Sequence, residues 1–160
     1  MTQTEQAEIP IGWQPYRLDH YAQELVIQNR DKKNVLNESH KMRMAVAYGL
    51  ERFWGEHLRY EREAKDGRSE KERESQNKGA YWKAVWVTLA KILKDSGIED
   101  LPDSDGSVQF SDTKKIEETA NAIWQFSSKP EQRRVTLMVL TQLCDALVWW
   151  TQRYKKKGEE

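Results

Sequence analysis

Apolar residues recur along this chain at spacings of three and four, the pattern of helices that each bury one face. In DHYAQELVIQNR, the residues Leu18, Tyr21, Ala22, Leu25 and Val26 share a face and predict a first helix. A longer signal runs from Asn34 towards Ala64, carried by Val35, Met42, Ala45, Val46, Leu50, Phe53, Trp54 and Leu58. Asn37 or Ser39 are candidate breaks in it. Gly49 would cost about 1 kcal/mol inside that helix and would leave room for a close crossing. AKDGRSEKERESQNKG has no apolar face, so it is either a solvated linker or the exposed beginning of the next helix.

In AYWKAVWVTLAKILKDSG, a stripe of Tyr81, Val85, Leu89, Ile92 and Leu93 has Trp82 and Trp86 at its edges, and Gly97 suits a helix stop. IEDLPDSDGSVQF predicts an acidic loop. Ser111 or Asp112 then caps a short helix with Ile116, Ala120, Ile123 and Trp124 on its apolar side. SSKPEQRR predicts the last helix start, with Ser128 and Glu131 as a capping box and Pro130 in the first turn. Val135, Met138, Val139, Leu143, Ala146, Leu147, Trp150 and Tyr154 carry that helix forward. The expectation is an all-α, compact bundle of about five helices. Its helical domain spans 18–157, between a flexible N-terminal tail at 1–17, anchored by Trp13 and Tyr16, and a short C-terminal tail at 158–160.

Composition narrows the picture. Seven Trp, six Tyr and three Phe need a core to enter, which argues against a disordered chain of 160 residues. No apolar run approaches the roughly 20 residues that cross a bilayer, and no secretory leader is legible, so a cytoplasmic protein without a membrane role is expected. The lone Cys144 lies in an apolar helical pattern and reads as a buried thiol.

The formal charge is zero, 26 basic against 26 acidic residues, but it is unevenly spread. Residues 28–68 hold ten basic and seven acidic groups, 129–157 seven and two, and 95–118 two and eight. Cationic helices and an acidic connection follow.

Chemistry-bearing patterns are sparse. His40 and His57 stand 17 positions apart, about 100° around an ideal helix, and no HExxH or Glu-x-x-His pair occurs. DSDGS lacks the spacing of a calcium loop. Ser39, Ser111 and Ser128 sit where hydroxyls cap helices, and no phosphate loop or dinucleotide fingerprint is present. No catalytic residue, metal site or cofactor is therefore expected.

A binding surface has more support. Arg30, Lys32, Lys33, Lys41 and Arg43 precede or enter the long helical signal, while Arg133, Arg134, Arg153, Lys155, Lys156 and Lys157 bracket the last helix. Such groups either form solvated faces or hold nucleic-acid phosphates. Of the adjacent Trp149 and Trp150, the second fits the apolar face, which leaves Trp149 as the interface or base-facing ring.

RRVTLMVLTQLCDALVWWTQRYKKK resembles the terminal helix of the small subunits of type III CRISPR effector complexes. NESHKMRMAVAYGLERFWGEH and KGAYWKAVWVTLAKILKDSGI are similar to their earlier aromatic-rich helices, so the resemblance covers about residues 30–157. It implies an all-helical, non-catalytic subunit that contacts RNA, neighbouring backbone subunits and further copies of itself. Arg133, Arg134, Arg153 and the terminal lysines would be the foremost RNA-facing candidates, by local character and not by motif. The other class of function is a helical adaptor that binds proteins alone, with Trp149 as an anchor.

Overall fold

The computed structural model describes residues 15–158. Among them are six α-helices: α1 (Pro15–Asn29), α2 (Glu38–Ala45), α3 (Leu50–Ala64), α4 (Glu70–Asp95), α5 (Thr113–Ser127) and α6 (Pro130–Tyr154). A 3₁₀ turn at Val46–Tyr48 joins α2 to α3, and no described residue is in a strand. The chain is an all-α bundle, as the periodicity predicts. The docking of Trp13 and Tyr16, most of the expected N-terminal tail and residues 159–160 lie outside what is described, although α1 already begins at Pro15.

The helix beyond the expected five comes from the 34–64 signal, which breaks at Gly49. That residue has φ +99° and ψ 168°, a region open almost only to glycine, and it turns the chain from the 3₁₀ segment into α3. Gly49 is thus a corner and not a crossing point. The close crossing occurs at Gly79 of α4, where a Cβ would meet Tyr60 Cβ at 3.0 Å and the His57 carbonyl oxygen at 3.4 Å. Its hydrogen lets α4 lie along α3 in the most extensive helix pairing of the fold.

The polar stretch before α4 is the helix beginning, not a linker. Ser69 Oγ accepts from the Glu72 amide at 3.0 Å, and Glu72 reaches back to the Ser69 amide, closing a capping box. At the other end Gly97, at φ +92°, lets Ile98 and Gly97 donate to Leu93 and Lys94 carbonyls, a Schellman stop. Asp112 caps α5 through Lys115, as expected. The box predicted at Ser128 does not form: Ser128 closes α5 by donating to the Gln125 carbonyl at 2.6 Å, and Lys129 stands at the α6 N-cap. Pro130 opens α6 as its spacing indicates.

Trp82 and Trp86, expected at the edges of a stripe, are at the centre of the core. Phe53 packs on both, with ring centroids 4.9 Å and 6.4 Å away. A buried indole still has an N–H to satisfy, and each finds a partner. Trp82 donates to Glu38, Trp86 to the Pro102 carbonyl, Trp54 to Asp103 and Trp150 to Asp19, each at 2.9 Å. Asp103 also accepts from the Val108 amide at 3.1 Å, so its carboxylate braces the DSDGS loop and pins it to α3, while the Pro102 carbonyl ties it to α4 through Trp86. Leu101 and Val108 plug that loop into the core.

Candidate nucleic-acid interface

Two cationic stretches far apart in sequence meet where α1 and α6 end. Arg30 Nε donates to the Tyr154 carbonyl oxygen at 2.7 Å, and Lys156 Nζ lies 2.6 Å from Asp31. Gln23, about two turns earlier along α1, donates to the Tyr154 hydroxyl at 2.9 Å. These bonds set Arg30, Lys32 and Lys33 beside Lys155, Lys156 and Lys157. Lys156 holds the Asp31 carboxyl below its ordinary range, and Glu70, 3.0 Å from Lys33, raises that ammonium above its own. Lys32, Lys155 and Lys157 have no carboxylate partner among the described residues, and Arg30 meets only the adjacent Asp31, which Lys156 already pairs. That leaves their charge available to phosphates.

Next to this end lies an open polar cavity of about 320 Å³, bordered by Lys33, Asn37, Glu38, Lys41, Lys78 and Gly158. Glu38 is fully buried at its wall. Its Oε1 accepts from the Tyr60 hydroxyl and from Trp82 Nε1, while Lys41 Nζ sits 3.1 Å from Oε2 as an ion pair without hydrogen-bond alignment. Burial, and then the bond to Glu38, push the Tyr60 phenol well above its ordinary range, so it remains the donor. Beneath it Ser39, expected as a cap, joins α2 to α4 and α6 instead: its hydroxyl lies 2.6 Å from Tyr81 Oη and 2.7 Å from Thr151 Oγ1. The cationic end therefore rests on a buried, hydrogen-bonded floor.

The remaining candidates are placed elsewhere. Arg133 and Arg134 lie in the first turns of α6, about 30 Å along the helix from Arg153, so the three arginines do not form one surface. Arg134 is paired with Glu131 at 2.6 Å, and Arg43 with Asp145 at 2.6 Å. Arg153 stacks its guanidinium 3.8 Å above the Trp149 ring. Trp149 is 48% exposed, as expected of the outward member of its pair, and meets Trp150 edge-on at 4.8 Å.

Sequence reasoning missed a second surface. Tyr48 and Trp124, 66% and 64% exposed, line a groove of about 390 Å³ together with Arg133 and Leu137. The spacing puts Trp124 on the apolar side of α5, but Thr119, Ile123, Phe126 and Ser127 are the buried set, which turns Trp124 outward. Phe126 is the available signal, since adding it to the stripe rotates the face away from Trp124.

His20 and His40 are exposed, whereas His57 is buried and donates from Nδ1 to the Trp54 carbonyl at 2.6 Å. Among the described residues no three His, Cys, Asp or Glu side chains are gathered to hold a metal, and no helix is long and apolar enough to cross a membrane. Cys144 is buried, which pushes its thiol up to about 12. No protein-family model, curated protein or solved structure matches this chain.

Proposed function

We propose that the protein is a non-catalytic helical subunit of a cytoplasmic RNA-guided effector complex, holding single-stranded or guide-paired RNA by its phosphates. The observation that carries this reading is the junction of Arg30 with Tyr154, which gathers six cations from two distant stretches of the chain at one end of the bundle. Base pairing would supply sequence specificity, while this subunit supplies phosphate contacts and spacing. The resemblance to small subunits of type III CRISPR complexes supports the same assignment, with backbone subunits and neighbouring copies as protein partners.

A protein-only adaptor is the second reading, favoured by the exposed Trp149–Arg153 stack. Titration of labelled single-stranded RNA at several salt concentrations separates the two. Lys32→Glu, Lys155→Glu and Lys157→Glu together should weaken binding and flatten the logarithmic salt slope by about 2, near 0.7 for each phosphate no longer neutralised. An unchanged affinity and slope in a triple variant with native circular dichroism would reject RNA contact by this end.

A further inference from the structure

Of the six described tryptophans, Trp54, Trp82, Trp86 and Trp150 each anchor their indole N–H in the protein. Trp124 anchors nothing. It is 64% exposed, without a hydrogen bond or ring contact among the described residues, and it projects from α5 beside a groove. Tyr48 faces the same groove from the 3₁₀ turn, 66% exposed and held by the Arg52 guanidinium 5.4 Å from its ring centroid. A third wall is Arg133, which has no carboxylate partner among the described residues; Glu51 is the one carboxylate bordering the groove. Ser127, 9% exposed, borders it too and keeps a hydroxyl without a hydrogen-bond partner.

Exposed apolar rings cost free energy in water, and a partner that covers them must also satisfy Arg133 and Arg52. A flat aromatic carrying a negative charge on a flexible linkage meets both demands, and an unpaired nucleotide is such a group. We propose that this groove binds one unpaired base of an RNA strand, stacked on Trp124 and Tyr48, with its flanking phosphate on Arg133. The position of the groove is set by Gly49, whose φ of +99° holds Tyr48 at the turn. It is separate from the cationic end, since Arg133 begins the helix that the terminal lysines follow. The two would therefore act in tandem on one strand: phosphates at the end of the bundle, a splayed base in the groove. This inference rests on the RNA-contacting reading above and adds the chemistry of a second contact.

The test compares the full chain's affinity for a single-stranded RNA with that for the same RNA carrying consecutive abasic sites. The wild-type protein should prefer the strand with bases by about five- to a hundredfold, the range of one stacked base. Trp124→Ala should abolish the preference and Trp124→Phe should restore most of it. Because Trp124 is exposed and unbonded, neither change threatens folding. Lys32→Glu with Lys155→Glu and Lys157→Glu should weaken both RNAs alike and keep their ratio. If Trp124→Ala retains the preference while the lysine variant loses affinity, the groove assignment fails and the RNA reading stands. If the wild type binds neither RNA, both fail. Loss of a protein partner on Trp124→Ala, with RNA binding intact, would also overturn the groove assignment.

Discussion

Arg30 and Tyr154 are joined by a 2.7 Å hydrogen bond from the Arg30 Nε to the main-chain carbonyl that ends α6. The last carbonyls of a helix have no partner in their own helix, and a cation there also meets the negative end of the helix dipole. One side chain thus closes the bundle and positions the terminal lysines. Arg30→Ala should speed amide exchange at 152–157 and weaken RNA binding by more than the removal of a single phosphate partner would. Arg30→Lys, which keeps charge but not the planar donor, should fall between. Equal exchange in Arg30→Ala and wild type would show that the bond does not order this end.

Glu38 is fully buried with two buried donors on its Oε1. Glu38→Ala leaves the Tyr60 hydroxyl and the Trp82 indole unsatisfied, at about 1–3 kcal/mol each. We expect urea unfolding to show a combined loss of about 2–6 kcal/mol, with Glu38→Gln losing less because it keeps an acceptor. A loss below about 1 kcal/mol for the alanine variant would contradict this role.

Two helical glycines should respond in opposite directions. At Gly79 an added methyl meets Tyr60 Cβ at 3.0 Å and the α3 backbone, so Gly79→Ala should destabilise by about 1–3 kcal/mol. Nothing lies within 4 Å of the Cβ position at Gly55. Gly55→Ala should stabilise by about 0.5–1 kcal/mol through helix propensity alone. Thermal melts of the two variants check the contrast; a shift of the same sign would show that helix packing is not what selects glycine at 79.

Cys144 should behave as a thiol that reacts only when the protein opens. Burial raises it from 9.0 to about 12, so at mildly alkaline pH the folded protein holds the neutral form. The raised value also sets a sign: its contribution to stability is complete below pH 9.0 and is lost as pH rises towards about 12. Alkylation at pH 8 should be slow in buffer and fast in urea. Cys144→Ala should flatten the alkaline fall in stability, and an unaltered profile would remove the thiol from that account.

The helices themselves were legible because helix burial repeats every 3.6 residues, and α1, α4, α5 and α6 each contain their predicted apolar run. The break at Gly49 was less legible because a glycine inside a helix and a glycine at a corner look alike until neighbours fix φ. Ser69–Glu72 and Ser128–Glu131 share the same spacing, yet only the first closes a capping box. Which serine caps depends on where the preceding helix ends. Trp124 and Trp82 depart from their expected places for a related reason: the buried face of a helix shifts with packing that one edge residue does not reveal, Phe126 within α5 and Phe53 against Trp82.

By itself the order of residues determined an all-α chain, its main helical segments, an acidic loop and two strongly cationic stretches. Those properties are local, since they follow from spacing, turn chemistry and charge counted over a few turns. Only the tertiary structure decided that Arg30 and Lys156 belong to one end of the molecule while Arg133 lies at the opposite end of α6, beside Tyr48 and Trp124. Contacts across more than 100 positions depend on which helix faces bury one another, and no period along the chain encodes that choice.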